Sequence, residues 1–176
     1  MKDSVFSLSG GGPRAGPARR YGAFARTLVA KGSAVYANDP PGHGETWRRQ
    51  YDADPRMLGK PGPGGLRASE AAILQLTQII RERHPGLPVI LFGHSFGSLM
   101  AQRLLNEHPR AWDALVLSGT AYRTVRHMES GKLNARWAKD PGATGFEWLS
   151  RDPAAAASFA ADPLCFGAHT AKPLCV

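Results

Sequence analysis

The sequence has 176 residues, is 43% hydrophobic and carries a formal net charge of +8, which suits a single domain with its own core. No apolar run approaches the ~18 residues of a membrane-spanning helix, and Met1 to Leu8 is too short and too polar for a signal peptide. The only cysteines, Cys165 and Cys175, make no disulfide framework, so the expected setting is reducing and cytoplasmic.

Val5-Phe-Ser-Leu8 reads as a short strand that runs into the loop Ser9-Gly-Gly-Gly12 and Pro13 to Pro17. Tyr21, Phe24, Ala25, Leu28 and Val29 then recur at helical spacing, and Lys31-Gly32 supplies the stop. Ala34 to Asn38 is a second strand, ended by the loop Asp39-Pro-Pro-Gly-His-Gly44. Residues 45 to 67 read as a long polar connection. Ser69 is placed to cap the next helix, with Ala72, Ile73, Leu76, Ile79 and Ile80 as its buried stripe. Arg81, Arg83 and His84 suit that helix's C-terminus, and Pro85-Gly86 ends it. Val89 to Phe92 is a third strand, Phe96, Leu99, Met100 and Leu104 mark a third helix, and Ala114 to Ser118 is a fourth strand. Strand and helix thus alternate through residue 118, which predicts a doubly wound parallel α/β sheet of about four strands. Beyond residue 120 the pattern changes to helix-like pieces around 123–136 and 153–161. The domain expectation is therefore 1–120 as core and 121–176 as a separate segment.

The chemistry concentrates at Gly93-His94-Ser95-Phe96-Gly97. With 20 glycines in the chain, Gly-x-Ser-x-Gly is weak as a bare pattern. Its weight comes from its place between a buried-type strand and an amphipathic helix. A serine lifted above a strand end must adopt a strained backbone with positive φ, and its neighbours must be small. Gly93 and Gly97 remove the Cβ atoms that would clash as strand and helix converge. Ser95 is then the candidate nucleophile, exposed at the carboxyl edge of the sheet. The Phe96 N–H, at a helix N-terminus, is a candidate oxyanion donor.

With that element on its strand–helix junction, the chain resembles the α/β-hydrolase fold, and more narrowly the monoacylglycerol lipase, lysophospholipase and serine aminopeptidase S33 group. Tyr21 to Gly32 resembles the group's first helix, Asp39 to Gly44 its Asp-x-x-Gly-His-Gly loop, and Pro85 to Thr120 its segment from nucleophile strand to next strand. Trp148 to Asp152 and Ala161 to Cys165 resemble its helical cap. The resemblance implies a sheet with the Val5 strand between the Ala34 and Val89 strands and the Ala114 strand on the far side of Val89. It implies hydrolysis of small acyl esters, acylglycerol- or lysophospholipid-like, without cofactor. It implies an oxyanion donor from Gly11 or Gly12, where the group usually carries His-Gly. It also implies that this chain stops inside the cap, before the group's triad acid and histidine, so both stay unassigned. A truncated, non-catalytic family member is the alternative.

The other titratable residues read as structural. His84 and His108 end helices, His94 flanks the turn, His43 holds its loop, and His127 and His169 lie in the later segment. Asp39 opens a turn, Asp113 sits at the wrong edge of the sheet, and Asp140, Asp152 and Asp162 suit turns and caps. No metal-ligand spacing, P-loop or dinucleotide fingerprint is present. The arginine pairs Arg19-Arg20, Arg48-Arg49 and Arg81 with Arg83 lack interleaved aromatics, so no nucleic-acid partner is expected. Peripheral contact with a membrane surface and the oligomeric state stay open.

Overall fold

The computed structural model describes residues 4–10, 16–124, 127 and 133–166. Four strands, β1 (Val5–Gly10), β2 (Ala34–Asn38), β3 (Val89–His94) and β4 (Ala114–Ser118), form one sheet in the order β2-β1-β3-β4. All pairs are parallel, with Val5 opposite both Ala34 and Val89, and Ile90 opposite Ala114. The parallel sheet is the one expected from the alternation, and its order is the one the family resemblance implies. Parallel neighbours require crossovers, and the crossovers are helices α1 (Gly22–Ala30), α3 (Gly65–Arg83) and α4 (Phe96–Glu107). A shorter helix, α2 (Gly44–Gln50), precedes α3, and α5 (Pro153–Ala161) follows the sheet.

Alternation along β3 divides the core in two. Val89 and Leu91 face α3 and α4, where they pack with Val5, Ile73, Ile80, Met100, Ala101, Leu104 and Trp112. Ile90 faces the other way, onto a smaller cluster with Phe6 that Tyr21, Ala25, Leu28, Val35 and Phe92 complete. The first face is closed by two long helices and the second, among the described residues, by α1 and the turn that leads into it. The expected apolar stripe of α1 is therefore only partly used: no residue of α1 is buried. Phe24 lies on Phe92 with ring centroids 5.1 Å apart, while Val29 is 56% exposed. Five apolar residues span a wider arc than one sheet contact can cover. Beyond α1, the same face is open at β4, where Val116 is 43% exposed.

Two sequence expectations are corrected. Ser69 does not cap α3; the helix begins a turn earlier, at Gly65, and Ser69 is buried within it. Gly62, Gly64 and Gly65 take φ of 76, 84 and 51, a left-handed sequence open to glycine that turns the chain straight into the helix. Leu66 then packs on the core and covers the first turn. The buried line of α3 is Ser69, Glu70, Ile73, Thr77 and Ile80, so three polar residues stand where an apolar stripe was expected. Each buried polar group needs a partner. Thr77 Oγ1 donates to Ile73 O at 2.8 Å and accepts from Trp112 Nε1 at 3.1 Å, and Glu70 accepts from Arg103 Nε on α4 at 2.7 Å.

The second correction concerns residues 45 to 67, which are not a plain connection. They hold most of α2 and a single 3-10 turn at Pro55–Met57. Trp47 is buried and donates from Nε1 to Asp54 O at 2.9 Å. The Asp39 carboxylate accepts from Ala18 N at 2.7 Å and Glu45 N at 2.9 Å, and Gln50 Oε1 accepts from Gly42 N at 2.9 Å. Side chains thus satisfy the turn backbone that no ladder reaches.

After β4 the described chain contains 3-10 turns at Ala135–Trp137 and Glu147–Leu149, then α5. The helical piece expected around 123–136 falls partly outside the described residues. The piece at 153–161 is α5, with Pro153 at its start and Asp152 accepting from Ala154 N at 2.9 Å. Glu147 accepts from the Thr144 hydroxyl, Asn134 Nδ2 and Gly145 N; the Thr144 hydroxyl above all holds its carboxyl down at about 2. Phe159 of α5 stacks tilted on Phe146 at 4.8 Å and lies under the Arg20 guanidinium at 5.2 Å. Arg19 and Asp162 form an ion pair at 2.7 Å.

The unequal faces predict unequal mutational costs. Leu91→Ala, at a fully buried site on β3, should lower unfolding free energy by about 3 kcal/mol. Val116→Ala, on the open face of β4, should change it by no more than about 0.5 kcal/mol. Urea unfolding of both variants checks this; equal losses would contradict the two-faced core.

Candidate active site

β3 ends at His94 and α4 begins at Phe96, so Ser95 alone makes the turn between them. Its φ of 52 and ψ of −121 lie in a region that side chains avoid, at a cost of about 1–3 kcal/mol. The positive φ expected from the motif is thus present. The surroundings hold the turn against its strain. The Ser95 N–H donates to Ser118 O at 2.9 Å, and Ser98 donates to Ser95 O from its backbone N–H at 2.9 Å and from Oγ at 2.5 Å.

The glycines are set by contact as well as by turn geometry. A Cβ on Gly93 would stand 2.7 Å from Ser98 Cα and 2.8 Å from Gly97 O, both backbone atoms of the α4 start. Gly97 and Ser98 are buried in the same contact. The helix therefore leaves the strand end at a distance only glycine permits.

Ser95 is exposed at the carboxyl end of the sheet. Phe96 supplies the first N–H of α4, where helical N–H groups lack intrahelical partners. Gly10, the last residue of β1, lies opposite His94 in the β1–β3 register. Gly11 and Gly12, the other oxyanion candidates, lie outside the described residues. Among the described residues the Ser95 hydroxyl has no hydrogen-bond partner.

The described histidines are engaged elsewhere. His94 points to the α1 side of the sheet: Nδ1 is 3.1 Å from Ser118 Oγ, and Tyr21 meets the ring edge-on at 6.0 Å. His43 is buried, its Nδ1 2.9 Å from Pro41 O, and its ring packs on Phe166 at 5.4 Å. His84 Nε2 is 2.9 Å from the Tyr36 hydroxyl, and His127 Nδ1 is 2.7 Å from Thr124 Oγ1. His108 is the exposed C-cap of α4, and His169 lies outside the described residues. The carboxylates are structural as expected: Asp39 organises its loop, and Asp113 accepts from Val89 N at 2.8 Å and Arg81 Nη2 at 2.9 Å. Asp140 and Asp162 accept from Gly142 N and Leu164 N in turns.

Burial shapes the titration of the groups around the turn. It lowers the His94 pKa from its ordinary value and pushes the Tyr21 phenol up to about 12 against the opposing pull of Arg20. It also raises the Cys165 thiol to about 11, with the neighbouring Asp162 acting in the same sense, so Cys165 is a thiol rather than a thiolate at neutral pH. Cys175 lies outside the described residues. Among the described residues no three His, Cys, Asp or Glu side chains gather as a metal would require, and no helix is long and apolar enough to cross a membrane. A cavity of about 350 Å³ between α3 and α4 has Arg67, Glu70, Leu74 and Arg103 among its walls and none of the turn residues.

The residue that sequence reasoning passed over is Ser118. It ends the strand beside β3 and bonds both His94 and Ser95. Its only signal is position, a hydroxyl at the end of the strand that follows the nucleophile helix.

Two outcomes follow for the turn. Gly93→Ala should lower stability by about 1–3 kcal/mol, read from the urea midpoint, because backbone atoms cannot give way. The depressed His94 pKa means that the unfolded chain, with a pKa near 6.5, takes up the proton first. The stability linked to His94 is fully present above about pH 6.5 and is lost as pH falls through the folded pKa. His94→Gln should flatten that part of the profile, measured as urea midpoints from about pH 7.5 down to 5; an unchanged profile would remove His94 as its source.

A sequence model described as serine aminopeptidase, S33, matches residues 2–174. The chain is 30% identical over 117 residues to monoglyceride lipase of Homo sapiens, an alignment covering 66% of this chain and 34% of that protein. It is 27% identical over 116 residues to a monoglyceride lipase homolog of Monkeypox virus, covering 66% and 37%. The chain therefore spans about a third of the length of these curated relatives. A thermostable carboxyl esterase from Bacillus coagulans, solved in complex with glycerol, superposes with a TM-score of 0.74 at 25% identity, covering 94% of this chain and 59% of that one. A monoacylglycerol lipase of Paleococcus ferrophilus shares the fold with a TM-score of 0.62 at 24% identity, covering 94% and 62%. The four-stranded parallel sheet, its flanking helices and the match along nearly the whole sequence agree: the chain belongs to the serine aminopeptidase S33 family of α/β-hydrolases.

Proposed function

We propose that this chain carries the nucleophile of a serine hydrolase that cleaves small carboxylic esters of the monoacylglycerol or lysophospholipid kind. The observation that carries the reading is Ser95 held at φ 52, exposed, between the end of β3 and the start of α4. The family's relatives, lipases and esterases by name, support it at the level of reaction class.

In this reading Ser95 Oγ attacks the ester carbonyl carbon and its proton passes to a base. The C–O bond to Oγ forms, and the carbonyl oxygen becomes an oxyanion. The Phe96 N–H, with an N–H from Gly11 or Gly12, stabilises that charge, each donor contributing about 3 kcal/mol. Collapse expels the alcohol and leaves an acyl-serine, which water then hydrolyses. Residues 121–176 are the start of a cap over the ester in the same reading, and residues 1–120 are the core.

A serine hydroxyl is a weak nucleophile near neutral pH and needs a base within about 2.6–3.2 Å. Four of the five described histidines bond Pro41, Tyr36, Ser118 and Thr124, and the fifth, His108, is the C-cap at the far end of α4 from Ser95. The chain by itself should therefore be a poor catalyst. Without triad partners, an oxyanion hole and binding retain about a 10³–10⁴-fold acceleration over water.

The test is turnover of a p-nitrophenyl ester by the purified chain and by Ser95→Ala, alongside labelling by a fluorophosphonate. Slow covalent labelling at Ser95, absent in Ser95→Ala, with turnover far below the ordinary 1–10³ per second, is the expected result. Ordinary turnover lost in Ser95→Ala would show that a histidine of this chain serves as base. No labelling at Ser95 would leave a non-catalytic family member.

A further inference from the structure

The strained turn has a second support besides its glycines. At the end of β4, Ser118 pairs with His94 in the parallel register. Its backbone oxygen accepts the Ser95 N–H at 2.9 Å. Its side-chain oxygen is 3.1 Å from Nδ1 of His94. One residue therefore bonds both the strained Ser95 and the His94 before it, from the neighbouring strand and through two different atoms.

We propose that Ser118 is a positioning residue for Ser95: its carbonyl fixes the Ser95 N–H and its hydroxyl fixes the His94 imidazole, so that β4 sets the direction in which the Ser95 hydroxyl points. This rests on Ser95 being the nucleophile. A residue in a sparsely populated conformation persists only where its surroundings over-determine it. The Ser98 bonds pin the carbonyl side of Ser95 from α4. The amide side has the Ser118 carbonyl. That N–H belongs to the His94–Ser95 peptide, and the His94 ring leaves the residue on its other side, so holding the ring adds a second restraint to the same peptide.

Three things hold the ring. Ser118 Oγ bonds Nδ1, Tyr21 stands edge-on from the α1 side at 70°, and Gly119 lies beneath with φ 57. A Cβ on Gly119 would meet His94 Cε1 at 3.4 Å. The ring thus lies against backbone, and among the described residues the hydroxyl is its one hydrogen-bond partner. A half-buried imidazole that stays neutral keeps one nitrogen as acceptor and one as donor, which suits a hydroxyl partner able to play either part.

Ser118→Ala removes the side-chain bond and leaves the backbone carbonyl in place. Ser118→Thr restores a hydroxyl and suits a strand. The rate of fluorophosphonate labelling at Ser95 should fall about tenfold in Ser118→Ala, the size of one net hydrogen bond, and return toward the parent rate in Ser118→Thr. In the same proteins the ¹⁵N resonance of His94 Nδ1 should move in the alanine variant and move back in the threonine variant. In a His94→Ala background, Ser118→Ala should have no further effect on labelling. Equal labelling of the parent chain and Ser118→Ala, or an Nδ1 resonance unmoved by the substitution, would overturn the positioning role while Ser95 remained the nucleophile. Absence of labelling in the parent chain itself would instead overturn the Ser95 assignment, and the positioning role with it.

Discussion

The structure depends on the contact between the end of β3 and the start of α4. At Gly93 the two backbones approach to a distance that a single methyl group would exceed. Everything about the turn follows from that approach. A helix that leaves the strand so closely must reverse direction within one residue, so Ser95 takes a conformation of high cost. The parallel sheet keeps the strand ends aligned, so Gly10, His94 and Ser118 arrive at one edge together. The exposed hydroxyl is then a result of packing, since the buried Gly97 and Ser98 leave it no direction but outward.

The core that backs this contact is one-sided. α3 and α4 close their face of the sheet with large buried residues, among them Ile73, Ile80, Met100 and Leu104. On that face Glu70 and Thr77 are buried with their partners. Glu70 and Arg103 link the two helices, with side chains 7% and 19% exposed. Such a pair adds little net stability in place of an apolar contact, yet removal of one partner strands the other's charge. It therefore fixes how α3 and α4 sit against each other more than how tightly they hold. The α1 face is thinner, and its aromatic residues serve the site: Tyr21 abuts His94 and Phe24 lies on Phe92.

How far the sequence could be read followed from which forces set each element. The strands were legible because Val89-Ile-Leu-Phe92 and its three counterparts are short apolar runs separated by helical periods, while their order came from the family resemblance alone. The turn was legible because glycine and strain leave a composition signature. The start of α3 was not, because Pro61-Gly-Pro-Gly-Gly65 reads as loop while its positive-φ glycines lead into a helix. The buried line of α3 was missed for another reason: Ser69 reads as a cap, and Glu70 and Thr77 look like a solvated face until Arg103 and Trp112, distant in sequence, supply their partners. α2 was missed because its order comes from Asp39 and Gln50 reaching backbone groups, which leaves no period to detect. Ser118 escaped for the same reason, since its partners lie 24 positions away for His94 and across the sheet for Ser95.

The ion pair between Arg19 and Asp162 joins residues 143 positions apart. It closes most of the chain into a ring. Loop closure of that size costs only about 0.6 kcal/mol more than closure of a loop half as long, so the contact is affordable once the sheet exists. It cannot lead, because an exposed pair contributes about 0–1 kcal/mol and cannot offset the ordering of everything between. What the pair does in the folded chain is tether: it ties the end of α5 to the segment before α1, so the two are held beside each other without the pair itself adding to the core.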